Sequence, residues 1–140
     1  MKSDYSISSY SIKFFKVHGD DRGCLTAIEQ NRDIPFDIKR MYYIFNTQSK
    51  IKRGCHAHKT LKQCLICVSG SCKVLVDDGV ERQTIDLSQP NKGLFIEGLI
   101  WRELYDFSAD AVVIVLASEL YEDTSYINCY DEFRQCFKNE

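Results

Sequence analysis

Apolar positions in this chain come in short runs with the period of a strand rather than a helix. The runs are "YSIKFFKV", "CLTAIEQ", "IKRMYYIFN", "GCHAHK", "KQCLICVSG", "CKVLVDD", "ERQTIDL", "KGLFIEG", "IWRELYDF" and "AVVIVLAS". They are rich in β-branched and aromatic residues, whose side chains suit a pleated, half-buried surface. The breaks between them, "HGDDRG", "SGS", "DDGV" and "QPNKG", read as turns. Asp78-Gly79 is a hairpin signal, because glycine accepts positive φ at little steric cost. Many short strands at this spacing predict an all-β sandwich or barrel. The end of the chain differs. In "YINCYDEFRQCFK", Tyr126, Ile127, Tyr130, Phe133 and Phe137 recur at three- and four-residue steps, which predicts a short amphipathic C-terminal helix.

No repeat, low-complexity stretch or linker interrupts the pattern, so residues 1–140 read as one domain. Apolar residues make up 44% of the chain, enough for a packed core. The net charge is −2 and no long basic run appears, which argues against a protein that coats nucleic acid or an anionic membrane surface. "MKSDYSISSYSIKFF" carries no long apolar stretch, so neither an export signal nor a membrane span is expected, and the reading is cytoplasmic. The seven cysteines form an odd set, expected to be reduced and mostly buried.

The chemistry concentrates in "RGCHAHKTLKQCLICVSG", residues 53–70. Alternate residues of a strand face one way, so His56 and His58 project together and Ala57 faces away. Two surface histidines in a loop remain the simpler alternative. A metal would need three or four ligands. The remaining histidine is His18, near the N-terminus, and the position five beyond His58, where a carboxylate would serve, is Gln63. No metal is therefore expected. Cys64 and Cys67 form C-x-x-C, but on a strand residues three apart face opposite sides, so these thiols read as small buried hydrophobes.

The sequence "GCHAHK", with Gln63 in the place of a glutamate and Gly70 beyond it, resembles the first motif of the cupins. Their second motif is only echoed: "QPNKGLFIEGLIW" keeps Pro90 and Gly93 but has no histidine, and Trp101 and Arg102 lie in that region. Over nearly the whole chain, "IKRMYYIF", "RGCHAHK", Q-x-L-x-x-V-x-G and P-x-x-G-L-x-I followed by Trp together resemble the sugar 3,4-ketoisomerases. The resemblance implies a small RmlC-like jelly-roll cupin barrel and a homodimer with exchanged N-terminal strands. It implies an isomerase acting on dTDP-4-keto-6-deoxyglucose with neither metal nor cofactor, in the making of 3-amino-3,6-dideoxysugars.

On that resemblance, His56 and His58 are the acid–base groups. Imidazole suits the task because its ordinary pKa, near 6.5, lets it take and give protons near neutral pH. His56 is assigned to the carbon-bound proton and His58 to the hydroxyls, an order the sequence leaves reversible. An enediolate also needs donors, for which Tyr42, Arg40 and Gln63 are candidates. Tyr42 is equally readable as a core aromatic until the resemblance is added. Arg22, Arg53, Lys59 and Arg102 are candidate cations for the pyrophosphate, with Arg22 first, although each is also readable as a solvated surface charge. Trp101 is a stacking candidate or a core residue. The resemblance favours a galacto product. The alternatives are a dTDP-sugar 3,5-epimerase and a non-catalytic sugar-nucleotide-binding cupin.

Overall fold

Alternation decides what each strand buries. In the computed structural model, which describes residues 8–138, the strands are β1 (Ser9–Phe14), β2 (His18–Asp20), β3 (Gly23–Leu25), β4 (Arg40–Ile44), β5 (Arg53–His56), β6 (Lys62–Ser69), β7 (Cys72–Asp77), β8 (Arg82–Leu87), β9 (Lys92–Glu97), β10 (Trp101–Tyr105) and β11 (Val112–Ala117). A five-stranded sheet runs in the order β1-β9-β6-β11-β4, and a four-stranded sheet in the order β5-β10-β7-β8. Their paired neighbours are antiparallel. The sheets face each other over a core that includes Leu65, Cys67, Val74, Val76, Leu94, Ile96, Leu104, Val113 and Val115. Burying each such side chain stabilises the fold by roughly 1.5–3 kcal/mol before conformational entropy is set against it.

Two further layers cover the outer faces. On the five-stranded sheet, Phe15, Ile34 and Phe36 pack over Cys64, Ile66 and Leu116, and the rings of Phe36 and Phe95 stack at 5.9 Å. Residues of β6 thus serve two clusters, Leu65 and Cys67 inside and Cys64 and Ile66 outside, which is why this strand reads as an unbroken apolar run. Cys64 and Cys67 lie in different clusters, so the C-x-x-C is divided by the sheet itself. All seven cysteines are free, although Cys24 and Cys129 are exposed rather than buried.

On the four-stranded sheet the cover is helix α1 (Tyr130–Gln135). Its Phe133 is fully buried against Ala57, Leu99, Trp101 and Ile127. Asp77 anchors it: its carboxylate accepts hydrogen bonds from the Tyr130 hydroxyl at 2.7 Å, Arg82 Nε at 3.0 Å and the Gly79 amide at 2.8 Å. Burial pushes the Asp77 carboxyl up, but these bonds outweigh it and hold the group below the ordinary carboxylate range.

Several expectations are corrected. The helix begins at Tyr130, not Tyr126, because Ile127 is held extended by two reciprocal backbone hydrogen bonds with Ala57, each 2.9 Å. "CLTAIEQ" supplies a strand only through Leu25, and "HGDDRG" contributes to a small two-stranded hairpin of β2 and β3. Asp78-Gly79 does turn between β7 and β8, with Gly79 at φ 93° and Asp78 Oδ1 accepting from the amides of Val80 and Glu81. Within the chain, β1 pairs with β9 from Ser9↔Glu97 to Phe14↔Lys92 at one edge of the five-stranded sheet. No helix among the described residues is long and apolar enough to cross a membrane.

Candidate active site

Register gathers inward-facing polar side chains at one end of the two sheets. Gln63 on β6 lies opposite Ala117 on β11, and Ala117 lies opposite Arg40 on β4. In the facing sheet, His56 on β5 lies opposite Arg102 on β10. Along β4, Arg40, Tyr42 and Ile44 are partly buried while Met41 and Tyr43 are exposed, so β4 turns its arginine and its first tyrosine inward. Arg40, Tyr42 and His56 open onto a cavity of about 440 Å³ lined also by Tyr43, Ile44, Arg53, Gly54, Tyr121 and Tyr126.

The imidazoles of His56 and His58 meet edge to face, with ring centroids 4.5 Å apart. His58 Nδ1 donates to the Ser125 carbonyl oxygen at 2.9 Å. Nε2 of both rings is buried and has no partner among the described residues. Burial, followed by the positive charge of Arg102, pushes the His56 pKa down from 6.5 to about 4. The same two causes and the neighbouring His56 push His58 down to about 2 against an opposing pull from the Ser125 carbonyl. Both rings are therefore neutral at neutral pH, with lone pairs available to take protons.

Arg102 is only 2% exposed. Burial brings its pKa down to about 10, which leaves it charged. Nη2 donates to the Ile100 carbonyl at 3.0 Å and Nη1 donates to Gln63 Oε1. A guanidinium only donates, so the Gln63 oxygen must face it and the Gln63 amino group must face Tyr42. Gln63 Nε2 donates to the Tyr42 hydroxyl at 3.1 Å. Because Tyr42 accepts there, its own proton remains available to an oxygen in the cavity. Desolvation by burial raises the Tyr42 pKa, so it stays a neutral donor. The arrangement is a relay of donors, Arg102 to Gln63 to Tyr42.

Arg40 lies 5.3 Å from the Tyr42 ring centre and 5.6 Å from that of Tyr121, and its buried Nε and Nη2 have no partner among the described residues. Arg53 lies at the cavity wall and is exposed.

His58, Gln63 and Arg102 are buried behind the cavity wall, touching its lining residues His56 and Tyr42, and three further candidates lie away from it. Arg22 sits in the exposed β2–β3 hairpin, paired with Asp20. Lys59 is exposed beyond the histidines. Trp101 is buried beneath α1, with its indole N–H donating to Glu103 at 2.9 Å. Neighbours on a strand face opposite ways, so an inward Arg102 turns Trp101 outward and makes it a core residue of the helix layer. The chain reading missed Tyr121 and Tyr126. Tyr126 lies edge-on to His56 at 5.4 Å and to His58 at 4.7 Å, a placement that depends on the long-range pairing of Ile127 with Ala57.

Two facing antiparallel sheets with a polar cavity at one end define a small cupin barrel, and the comparisons with known proteins agree with that class. The chain belongs to the family described as WxcM-like, C-terminal, whose model matches residues 8–138. It is 51% identical over 121 residues to the TDP-4-oxo-6-deoxy-alpha-D-glucose-3,4-oxoisomerase of Aneurinibacillus thermoaerophilus, covering 86% of this chain and 87% of that one. Among solved structures it is similar to a 3,4-ketoisomerase from Helicobacter canadensis, with a TM-score of 0.89 and 46% identity over 92% of this chain and 97% of the other. It is similar at a TM-score of 0.89 and 44% identity to a mutant of the Thermoanaerobacterium thermosaccharolyticum 3,4-ketoisomerase in complex with TDP-4-keto-6-deoxyglucose, over 94% and 95% of the two chains.

Holding two imidazoles neutral ties stability to pH. Below 6.5 the unfolded chain binds protons on histidine that the folded chain does not, so stability falls as pH drops from 6.5 toward the folded values of about 4 and about 2. Urea unfolding between pH 6.5 and 4.5 should show this loss. In His58→Gln the slope should be shallower by up to about 1.4 kcal/mol per pH unit. Parallel slopes for the two proteins would mean that His58 is protonated in the fold.

Proposed function

We propose that this chain is a TDP-sugar 3,4-ketoisomerase that moves the ketone of dTDP-4-keto-6-deoxyglucose from C4 to C3. The observation that carries the reading is the pair of neutral imidazoles whose buried Nε2 atoms have no partner among the described residues, set against the Arg102–Gln63–Tyr42 relay. The relatives' activities support it.

In this mechanism His56 Nε2 takes the C3 proton. The C–H electron pair becomes the C3=C4 double bond, and the C4 carbonyl pair moves onto oxygen. Tyr42 donates to that oxygen, with Gln63 and Arg102 polarising its hydroxyl. His58 carries the proton from the C3 hydroxyl to the C4 oxygen. Re-formation of a carbonyl at C3 returns a proton to C4, so the atoms and electrons balance without an external oxidant. The positive Arg102 beside the imidazoles disfavours a cation there, and no metal enters the scheme. Arg40 and Arg53 offer cationic donors to the pyrophosphate, and Tyr121 offers an aromatic face beside them. Arg22, Lys59 and Trp101 do not line this cavity in the single chain and are given no role in the scheme.

We further infer that two copies associate through the outer face of the five-stranded sheet. There Leu25, Met41, Tyr43 and Phe45 are each more than half exposed, and an apolar groove lies between Val17, Leu25, Met41, Ile66 and Val68. Exchange of β1 between the copies would keep the same register on β9. The whole chain acts as one domain within a bacterial deoxysugar pathway in the cytoplasm.

Incubation of the substrate with enzyme in D2O, followed by NMR, tests the activity. The expected result is a 3-keto product with deuterium at C4, at a rate unchanged by prior dialysis against a chelator. His56→Asn should lower the rate by about 10²–10⁴-fold. Exchange at C3 and C5 with the ketone still at C4 would identify an epimerase, and tight binding without turnover a sensor. The expected C4 configuration is galacto, and a gluco product would correct that point alone.

The relay makes a second prediction. In Gln63→Glu the carboxylate accepts from both Arg102 and Tyr42, so the Tyr42 proton is drawn away from substrate. kcat should fall by about 10²–10³-fold with the fold intact by circular dichroism. Full activity would remove the relay from the mechanism.

A further inference from the structure

We propose that Ser125, Tyr126 and Ile127 form a positioning clamp that fixes His58 as its Nδ1–H tautomer and leaves its Nε2 lone pair unprotonated behind His56 and Tyr126, which line the cavity. The inference rests on the isomerase reading for its consequence in catalysis, but not for its structure.

A backbone carbonyl can only accept, so the 2.9 Å contact between His58 Nδ1 and the Ser125 oxygen places the ring proton on Nδ1. A neutral imidazole has one such proton. Nε2, buried and without a partner among the described residues, is then an acceptor and a base. With the opposite tautomer it would present a donor, and the proton shuttle between the sugar hydroxyls would lack its acceptor. The carbonyl is held in place by its neighbours. Ile127 exchanges two backbone hydrogen bonds of 2.9 Å with Ala57, the residue that precedes His58. Ile127 is buried with Phe133 and Trp101, and α1 is tied to Asp77 through Tyr130. Between Ser125 and Ile127, the Tyr126 ring lies edge-on to both imidazoles, at 68° to each, and packs against Tyr121 at 5.8 Å. A segment outside the two sheets therefore determines which nitrogen of a residue beside β5 is the base.

The test uses the full-length protein with ¹⁵N-labelled histidine and two-bond ¹H–¹⁵N correlation spectra at neutral pH, together with steady-state kinetics. Wild type should show His58 in the Nδ1–H form alone. Ile127→Pro removes the amide that bonds Ala57, and Tyr126→Ala opens the rings to water. Each should give averaged tautomers and a kcat lower by about 10–100-fold, with KM changed far less. Tyr126→Phe should keep the single tautomer. A wild-type His58 protonated on Nε2 overturns the proposal, as does an unchanged tautomer and kcat in Tyr126→Ala. If Ile127→Pro does not fold, the wild-type spectrum and Tyr126→Ala still decide. A correct tautomer in a protein without turnover would defeat the isomerase reading and leave the clamp standing.

Discussion

A guanidinium buried at the mouth of a β-sandwich must find partners, and the site follows from how Arg102 finds them. Leaving such a charge unmatched would cost several kcal/mol. Two of its nitrogens are matched, one by the Ile100 carbonyl and one by the Gln63 amide oxygen. The second match fixes which way Gln63 points and hence that Tyr42 accepts rather than donates within the protein. The same charge lies opposite His56 across the β5–β10 pair and, with burial, keeps both imidazoles neutral. One positive charge thus orients a donor and protects two bases.

The cupin frame makes this possible because its two sheets bring different strands to one end without any local sequence link. Arg40, Tyr42 and Gln63 come from one sheet, and His56 and Arg102 from the other. The middle of the sandwich is closed by apolar packing, and the Phe36 layer and α1 cover part of the outer faces. The polar end holds several buried nitrogens without partners among the described residues, and those atoms describe an oxygen-rich ligand more directly than the cavity's shape does.

Strand positions were legible because period-two patterning survives wherever one face is buried, as in β4. The His56–His58 pair was legible for the same reason, and Gln63 because its place after the pair argued against a carboxylate ligand. Trp101 and Arg102 show where reading stops. They are adjacent, one of them must face inward, and only the pairing of β10 with β5 and β7 decides which. Tyr126 fits a helical period with Phe133, yet its backbone is claimed by a pairing between Ile127 and Ala57, 70 positions away, that no local pattern encodes. Arg22 had a glycine-flanked context suited to a ligand loop, but Asp20, two residues before it, engages it on the surface.

The proposed proton transfers need imidazoles that are neutral where an exposed histidine would be partly charged. An NMR titration of the histidine ring resonances in the free enzyme measures this directly. The structure predicts a His56 midpoint near 4 and no protonation of His58 above that pH. A midpoint near the ordinary 6.5 for either ring would contradict it.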